Sequence, residues 1–530
     1  MQKVLSFILA AVMLLSVCVI AAADDSDWYD ENGKTIVRVS ISADPGTLDP
    51  YDPGSIGGKN MTTNICLWET LAVSSLQGGY DMVIAESYKL NEELTNDERP
   101  VYDITIRQGV HDSAGNPINA DDIIYSIDTI LAKKAGYNLK ALGIYEKVDD
   151  FTIRFTMKNN SVGEIEKCLT GIRVVSQKAY EEAGRSMTLN PVATGPYKVT
   201  KYVTGSELVM EKVENYWGAE QGVHSATNDQ NVDIIDFLVI REGAQATVGL
   251  ETGTVDIVGS MNSTEVERFL PGGELEADFT VFEMESTMAN VMFFNCSTAS
   301  PFNNEDLRKA VMYAIDINGI IFGTVDGLGV PLVAFAKKDS TGYNPEWETN
   351  YPYSYDPAKA QELVKSSGYS GQKVRIMSNN SDTMQNWAQI LQQYLLAVGI
   401  DSELLPYEDA LFSTYRYDNL QWDIILDNTG VGNTLLAPMW VNKYDLRNFE
   451  TGMNAMCMND PEFQAMVESM SDYRFATQDA IDAVHYYVTD HAIAIGVFSP
   501  LVQTVARSSK VVDMYHTGTV VPQRVIYAWN

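Results

Sequence analysis

The sequence predicts an α/β protein with more than one lobe, and two observations carry this prediction. The chain has 530 residues, which is more than one hydrophobic core usually supports, so at least two lobes are expected. Segments with strand periodicity alternate with segments of helix periodicity along the chain, without any repeat period. This alternation is typical of α/β lobes and excludes a solenoid.

The strand predictions rest on the period of the apolar residues. Residues 37–41 alternate between apolar and polar, which predicts a strand with one buried face, and the Asp- and Pro-rich loop 44–50 ends it. Residues 232–240 are apolar on both faces, as in a strand buried inside a sheet. The same reasoning predicts two further strands, at residues 102–106 and 151–157.

Three helices have clear start or stop signals. Asn119 and Asn304 each precede two acidic residues and an apolar face at helical spacing, so both are predicted N-caps. The third helix carries apolar residues from Trp387 to Val398 and ends at Gly399. The apolar face after Asn119 is predicted to comprise Ile123, Ile124, Ile127 and Leu131.

Residues 1–23 are predicted to be an export signal, because a basic start and an apolar run end in small residues. The acidic residues 24–33 are predicted to be a flexible linker. A membrane anchor is the alternative, since about 19 apolar residues can just span a bilayer. Residues 15–18 have the outline of a lipoprotein cleavage site, although Val17 stands where a small residue is usual, so lipidation of Cys18 stays open. The protein is expected outside the cytoplasm, at the cell surface or in the periplasm.

Composition excludes several classes of partner and site. The net charge is −34, with 71 acidic and 37 basic residues, and phosphate backbones need clusters of Lys and Arg, so nucleic acid is excluded. A solvated acidic surface explains the charge, and a cationic or metal-containing ligand is the alternative. Five Cys and five His are dispersed without the spacing of metal ligands, so neither a metal site nor a cofactor is predicted.

Several short segments, in this order along the chain, resemble the peptide/nickel family of extracellular solute-binding proteins, known as family 5. No single segment is specific, but their common order over nearly the whole chain makes chance a poor explanation. The segments are DPGTLDP at 44–50, WETL at 68–71, AESY at 85–88, IRQGVH at 106–111, NADDI at 119–123, TGPY at 194–197, NYWG at 215–218, LETGTVD at 250–256, FN at 294–295, LRKAVMYAID at 307–316, YDPAKA at 355–360 and VGI at 398–400.

The resemblance implies a two-lobe fold like that of periplasmic binding proteins of the cluster C type, with an extra subdomain in the first lobe. The lobes would be joined by a two-strand hinge, with crossings near 289–291 and 495–497. The implied boundaries are 34–60, 196–288 and 498–530 for the core of lobe I, 61–195 for the extra subdomain and 289–497 for lobe II.

The resemblance also implies a function and its partners. The protein would be the extracytoplasmic substrate-binding component of an ABC importer, a monomer without enzymatic activity that encloses a small polar solute when its lobes close. Its partners would be a membrane permease and cytoplasmic ATPase subunits. A surface receptor or sensor that uses the same fold without transport is the alternative, and a carboxylate-dependent hydrolase is a remote one, since the sequence has no GxSxG, HExxH or Walker motif.

The two charged anchors of peptide-binding relatives are missing by an ungapped comparison. The carboxylate that holds a peptide's amino group would fall at or beside Gly432, and the arginine that holds a dipeptide's carboxylate at Gln385 and Asn386. A buried ammonium without a carboxylate is costly, so a dipeptide ligand is disfavoured unless Asp427 substitutes. A peptide, a nickel or other metal chelate and another small polar solute all remain open.

The candidate ligand-binding residues come from the opening loop, one helix start and the segment around Asp427. For Trp68 and Trp387 a place in the core explains the sequence equally well, and for Asn428 and Asn433 turn formation does. The predicted residues are Asp44, Tyr51, Trp68, Gln385, Trp387, Asp427, Asn428, Thr429, Asn433 and Trp440.

Overall fold

The structure is a computed structural model. It describes residues 28–52, 61–75, 78–261, 263–416, 418, 420–430, 435–444, 456, 458–514 and 520–530. The predicted export signal, Cys18 and the predicted ligand residue Asn433 therefore lie outside the described residues.

The regular elements alternate along the chain as predicted. The strands are β1 Ile36–Ile41, β2 Ala72–Ser74, β3 Tyr80–Met82, β4 Ala85–Leu90, β5 Val101–Ile106, β6 Leu142–Asp149, β7 Thr152–Met157, β8 Tyr197–Val203, β9 Glu207–Lys212, β10 Ile234–Val239, β11 Ile257–Met261, β12 Phe279–Glu285, β13 Met288–Phe294, β14 Gly329–Pro331, β15 Val374–Asn379, β16 Ser402–Tyr407, β17 Ile424–Gly430, β18 Ala494–Arg507, β19 Val511–Asp513 and β20 Ile526–Tyr527. The helices are α1 Met61–Leu67, α2 Ala120–Ala132, α3 Glu164–Gly171, α4 Gln177–Glu182, α5 Trp217–Glu220, α6 Gly243–Thr252, α7 Ser263–Val266, α8 Glu305–Ala314, α9 Ile317–Val325, α10 Glu346–Thr349, α11 Pro357–Ser366, α12 Asp382–Ala397, α13 Asp409–Tyr415, α14 Leu436–Tyr444, α15 Pro461–Met470 and α16 Gln478–Asp490.

A 12-stranded sheet runs through both lobes, in the order β16-β15-β17-β13-β18-β11-β1-β10-β9-β8, with β12 and β14 also paired to β18. The long strand β18 pairs with β13 and β14 in its first half and with β11 and β12 in its second half. The chain therefore passes from one lobe to the other between β12 and β13, and returns within β18. This agrees with the two-strand connection that the sequence predicts.

The strands and caps predicted from local signals are confirmed. Strands β1, β5, β7 and β10 cover the predicted segments, and β10 lies between β1 and β9, inside the sheet. The Asn119 side chain accepts a hydrogen bond from the N–H of Asp121, and the Asp122 carboxylate caps Asn119 in return. Asn304 caps α8 by accepting from the N–H of Leu307. The prediction for one residue of the α2 face is wrong, because Leu131 is exposed and Ile130 packs into the core instead.

The buried apolar residues group into separate cores. One core contains only residues between Ala289 and Phe498. A second joins the apolar residues of 61–195 with those of β1, β8–β11 and the C-terminal segment. The extra subdomain therefore does not pack as a separate core but shares one with lobe I. A third, small core covers α6 and α7.

The described part of the predicted linker, residues 28–33, forms a turn that packs on the end of the chain. Asp30 accepts hydrogen bonds from the backbone N–H groups of Asn32 and Lys34, both at 2.8 Å. The Trp28 ring lies 5.9 Å from the Trp529 ring. These six residues are thus folded against the body of the protein, and do not form the extended spacer that their composition suggests.

Candidate ligand-binding site

The carboxyl edge of the lobe II sheet faces the first lobe. Strand β15 is parallel to β16 and β17, so the carboxyl ends of all three meet at one edge. The last residue of β17, Gly430, lies opposite Met288, the first residue after the crossing from lobe I. Ligands of open α/β sheets bind outside the carboxyl ends of the strands. The candidate site is therefore the space between this edge and lobe I.

Both predicted residues of the opening loop have structural partners. The Asp44 carboxylate accepts hydrogen bonds from the Tyr202 hydroxyl at 2.6 Å and from the backbone N–H groups of Gly46 and Gly205. Burial raises the pKa of this carboxyl, but the three hydrogen bonds outweigh burial and lower the pKa below its ordinary value. The Tyr51 ring is buried, and its hydroxyl donates to the carbonyl oxygen of Arg173 at 2.9 Å.

The three predicted tryptophans lie in hydrophobic cores. The indole N–H of Trp68 donates to the carbonyl of Leu48 at 3.0 Å, and that of Trp440 to the carbonyl of Phe335 at 2.8 Å. The Trp387 ring packs edge-on against Phe498, with 6.2 Å between ring centroids. All three rings are almost completely buried. Their packing role is visible, and their assignment as ligand contacts stays a prediction.

Gln385, Asn428 and Thr429 lie near the carboxyl edge. The Gln385 side chain donates to the carbonyl of Asn380 at 2.7 Å, in the first turn of α12. Asn428 donates to the side-chain oxygen of Asn290 at 3.3 Å. Thr429, partly buried, pairs with Ala289 across β13 and β17. These side chains are polar and partly accessible, so they remain candidates for ligand contact.

Asp427 is already paired. Its carboxylate, only 7% exposed, forms an ion pair with Arg416, which is 17% exposed, and accepts a hydrogen bond from the N–H of Asn428 at 2.9 Å. Breaking a buried ion pair is costly, so Asp427 is expected to keep its contact with Arg416. Asp427 is thus already engaged by Arg416, and its assignment as a ligand contact stays a prediction.

Lys443, in the last turn of α14, lies beside this ion pair and was missed by the sequence reasoning. Burial lowers the pKa of its ammonium group, the Asp427 carboxylate acts against this shift, and Arg416 adds to it. Among the described residues Lys443 has no ion pair of its own. No sequence signal reveals this neighbourhood, because Asp427 and Lys443 are brought together only by the fold.

Arg173 is the second residue that the sequence reasoning missed. It lies between α3 and α4, with its backbone bridged to Thr70. Its guanidinium group has no hydrogen bond or ion pair within the described part of the chain, and burial lowers its pKa, opposed only by Tyr51. A desolvated cation without a partner is unfavourable until an anion binds it. The sequence does contain a signal for this residue, because Arg173 is a single charged residue among the apolar Ile172, Val174 and Val175, which are fully buried in the structure.

The extra subdomain contacts lobe II directly. Residues 160–162 and 471–474 pair in two antiparallel backbone hydrogen bonds, from the N–H of Val162 to Ser471 at 2.9 Å and from the N–H of Tyr473 to Asn160 at 3.0 Å. We call these two segments the clasp. An ion pair between Arg474 and Asp97, at 3.1 Å, flanks it.

A second contact connects the lobes at the start of α14. The N–H of Gly79 donates to the Thr341 hydroxyl at 2.8 Å. The carbonyl of Thr341 accepts from the N–H of Leu436, the first residue of α14, at 3.1 Å. Pro438 lies so close to Gly163 that a Cβ atom at Gly163 would be 2.7 Å from its Cγ. Helix α14 therefore begins at the contact between the lobes and ends at Lys443.

Within the described ranges, no three His, Cys, Asp or Glu side chains are grouped so as to hold a metal ion. In the same ranges, no helix has both the length and the apolar character needed to cross a membrane. The thiols of Cys66, Cys168 and Cys296 are buried and unpaired with one another.

Comparison with known protein families gives one match that spans most of the chain. The model of "Bacterial extracellular solute-binding proteins, family 5 Middle" matches residues 82–445. This range begins just before β4 of the extra subdomain, includes the connection between the lobes, and ends in lobe II just after α14.

Two curated relatives are glutathione-binding proteins named GsiB. The protein from Salmonella typhi is 26% identical over 385 residues, which cover 69% of this chain and 69% of the relative. The protein from Escherichia coli O157:H7 is 25% identical over 411 residues, which cover 74% of this chain and 71% of the relative.

Solved structures share the fold at low sequence identity. HbpA2 from Haemophilus parasuis superposes with a TM-score of 0.79 at 17% identity, covering 93% of this chain and 100% of that one. NikA from Brucella suis in complex with Fe(III)-EDTA gives a TM-score of 0.75 at 18% identity, covering 93% and 99%. The substrate-binding protein CtaP from Listeria monocytogenes gives the same TM-score of 0.75, at 18% identity and with coverage of 93% and 99%.

Proposed function

Because this chain belongs to family 5 of the bacterial extracellular solute-binding proteins, we propose that it captures a solute with a free carboxylate group and delivers it to an ABC importer. The observation that carries this proposal is Arg173, a partly buried guanidinium group without an acidic partner among the described residues. In a chain with a net charge of −34, a spare cation at such a place is not a general property of the surface. It is suited to an anionic group of the ligand.

A carboxylate is the anion that best fits this site. A guanidinium group offers paired N–H donors in one plane, which match the two oxygens of a carboxylate. The named ligands of the relatives share this chemistry: glutathione carries carboxylates, and so does the EDTA that is bound to NikA from Brucella suis. The proposed cargo is thus a small peptide of the glutathione type or a carboxylate chelate of a metal.

The expected lack of an anchor for a ligand's amino group narrows the class of proposed ligands further. Asp427 is engaged by Arg416, and Gly432, at or beside which the anchor would fall, has no side chain to offer a carboxylate. A free N-terminal ammonium group is therefore not the main feature that the site recognises. We propose that recognition is led by the acidic end of the solute, unlike recognition of an ordinary dipeptide by its amino group.

The lobe boundaries, the oligomeric state and the location of the protein are part of the same proposal. The lobes would be divided at residues 34–60, 196–288 and 498–530 for the core of lobe I, 61–195 for the extra subdomain and 289–497 for lobe II. The protein would act as a monomer without catalytic activity, exported and held near its permease by the N-terminal segment. A sensor that uses the same fold without transport is the second candidate, and deletion of the permease would separate the two, since only an importer component loses uptake.

The experiment compares ligands that differ only in charge. Calorimetry and thermal shift would be run on the exported protein with glutathione, its diethyl ester, Fe(III)-EDTA and nickel–histidine. We expect binding of carboxylate-bearing probes and about tenfold or more loss of affinity in R173M, because a hydrogen bond to a charged group is lost. The control is R185M, since Arg185 is an exposed arginine of the same subdomain that pairs with Glu181.

The same variant gives a readout that needs no ligand. Since Arg173 is desolvated and has no ion pair with any described residue, R173M should unfold at the same temperature as the wild type or a higher one when no solute is added. Equal affinity for glutathione and its diethyl ester, or unchanged affinity in R173M, would overturn the proposal. A lower melting temperature of the ligand-free R173M would indicate that Arg173 has a structural role instead.

A further inference from the structure

We propose that the clasp holds the two lobes together before any solute binds, and that a solute enters and leaves only while the clasp is open. The clasp consists of residues 160–162 of the extra subdomain and residues 471–474 of lobe II. This inference rests on the proposed function only in taking the space between the lobes as the place where the solute binds.

The clasp is a second connection between the lobes, separate from the covalent one. The chain passes between the lobes from β12 to β13 and returns within β18. The clasp instead joins the extra subdomain, which shares its core with lobe I, to the loop between α15 and α16. Rotation about the covalent connection separates contacts that lie elsewhere between the lobes. The lobes therefore cannot swing apart while the clasp is intact.

One apolar side chain of the clasp crosses from lobe to lobe. Val162 belongs to the extra subdomain, yet its partly buried side chain packs against the hydrophobic core of lobe II. Its backbone N–H also donates to the carbonyl of Ser471 at 2.9 Å, so both its side chain and its main chain are held. Burial of apolar surface favours this contact whether or not a solute is present.

The main chains of the clasp are paired as in an antiparallel sheet. Ser161 lies directly opposite Asp472, and the two hydrogen bonds between the lobes, at 2.9 and 3.0 Å, lie on either side of this pair. Beside it, Gly163 lies so close to Pro438 that an added Cβ atom would be 2.7 Å from the proline Cγ. This pairing and packing define one position of the lobes relative to each other, and none of the contacts involves a solute.

A connection that forms with and without a solute affects rates more than affinity. The site is accessible only in the fraction of molecules whose clasp is open, so a stable clasp slows entry. The same clasp must open again for release. Because it stabilises the empty and the occupied closed state alike, weakening it should speed both steps and leave the Kd nearly unchanged.

The first test needs no solute. Native mass spectrometry would confirm that the exported protein carries no ligand, and hydrogen exchange would then be measured at Val162 and Tyr473. We expect both amides to exchange at least about tenfold more slowly than in an unfolded chain, since their hydrogen bonds join the lobes. V162A should lose about fivefold or more of this protection, because its contact with the lobe II core is reduced. The control is V148A, since Val148 is exposed on β6 of the same subdomain.

The second test locks the clasp with a disulfide. The Cα atoms of directly opposite residues flanked by such hydrogen bonds are about 4.5 Å apart, which a disulfide can bridge, so S161C/D472C should oxidise readily. The oxidised variant should release bound S-methylglutathione, a carboxylate probe without a thiol, at least about tenfold more slowly than the reduced variant. V162A should bind and release this probe faster than the wild type. The single variants S161C and D472C are the controls.

The outcomes separate this inference from the proposed function. Exchange of both amides at the rate of an unfolded chain would overturn the inference, and so would equal release from the oxidised and reduced variants. Faster exchange in V162A with β10 and β15 unchanged would support it, because the loss is then confined to the clasp and the fold is intact. If no carboxylate probe binds the wild type, the proposed function fails, and the exchange of the two amides still decides whether the clasp is closed.

Discussion

The two lobes bury titratable side chains of opposite character. Lobe I encloses Glu69, whose carboxyl group accepts a hydrogen bond from the Tyr216 hydroxyl at 2.5 Å. Lobe II encloses His485, whose ring stacks on Trp347 with 4.1 Å between centroids. Neither side chain forms an ion pair with any residue that the structure describes. Burial therefore favours the neutral form of both, but neutral means protonated for the acid and deprotonated for the imidazole.

This difference gives the lobes opposite responses to pH. Burial raises the pKa of Glu69 to about 7, so its contribution to stability is complete below its ordinary value of 4.5 and is lost as the pH rises through 7. Burial lowers the pKa of His485 to about 4, with Asp482 acting weakly against it. The contribution of His485 is complete above its ordinary value of 6.5 and is lost as the pH falls through 4.

The two lobes can therefore be destabilised separately, although one sheet joins them. Their apolar cores are distinct, and mainly strand β18 connects the two halves of the sheet. Alkaline conditions should weaken lobe I first and acidic conditions lobe II first. Native-state hydrogen exchange can measure this lobe by lobe, because β10 and β11 report on lobe I while β15 and β17 report on lobe II.

The strongest test of lobe independence removes a charge buried in lobe I. Lys510 and Asp256 are both only 1% exposed, and their charged atoms lie 2.9 Å apart. K510M removes the nearer of two cations from the buried Asp256 carboxylate, since Arg38 remains 3.6 Å away, and the loss of a buried partner costs up to about 3–5 kcal/mol. We expect this loss in the exchange of β10 and β11, with β15 and β17 nearly unchanged. An equal loss in both lobes would show that they unfold as one unit, and K34M, which breaks the exposed pair with Glu211, is the control.

The second test concerns acid and lobe II. The shift of the His485 pKa from 6.5 to about 4 corresponds to about 3 kcal/mol lost between pH 6.5 and pH 4. H485F retains a ring against Trp347 but cannot be protonated, so it should remove this part of the acid sensitivity of β15 and β17. His224 has an exposed side chain, and H224F should leave the pH profile as it is. A profile of H485F that parallels the wild type between pH 6.5 and 4 would contradict the assignment.

The third test concerns alkali and lobe I. In E69Q the amide oxygen can still accept the hydrogen bond from Tyr216, but no charge forms as the pH rises. E69Q should therefore be more stable than the wild type at pH 8–9, by about 1–3 kcal/mol, and no more stable at pH 5. Glu86 is exposed in the same lobe, so E86Q is the matched control. A gain that is the same at pH 5 and pH 9 would mean that protonation of Glu69 is not the cause.

The sequence predicts those features that depend on neighbouring residues. Strand β10 and the Asn119 cap follow from residues within one element, and the ordered motifs identify the family because they are short and local. Charge balance in the cleft does not follow, since Arg416 neutralises Asp427 only after α13 and β17 meet. The tryptophans show another limit. An aromatic residue on an apolar helical face looks the same in sequence whether it faces a core or a ligand, and Trp387 and Trp440 face cores.

The smallest expected effect concerns the clasp, where the lobes touch. Arg474 pairs with Asp97, which is fully exposed, and exposed pairs contribute little. R474A should therefore change hydrogen exchange at Val162 and Tyr473 by less than about fivefold, since their two backbone hydrogen bonds remain. The control is R185A, in which an exposed pair within the extra subdomain is lost. A much larger increase at Val162, in the other lobe, would show that the contacts of Arg474, which also pairs with Asp472 at 2.7 Å, hold the lobes together. Closure would then depend on charge at its rim as well as on the ligand, and salt should open the clasp in the wild type to the same extent.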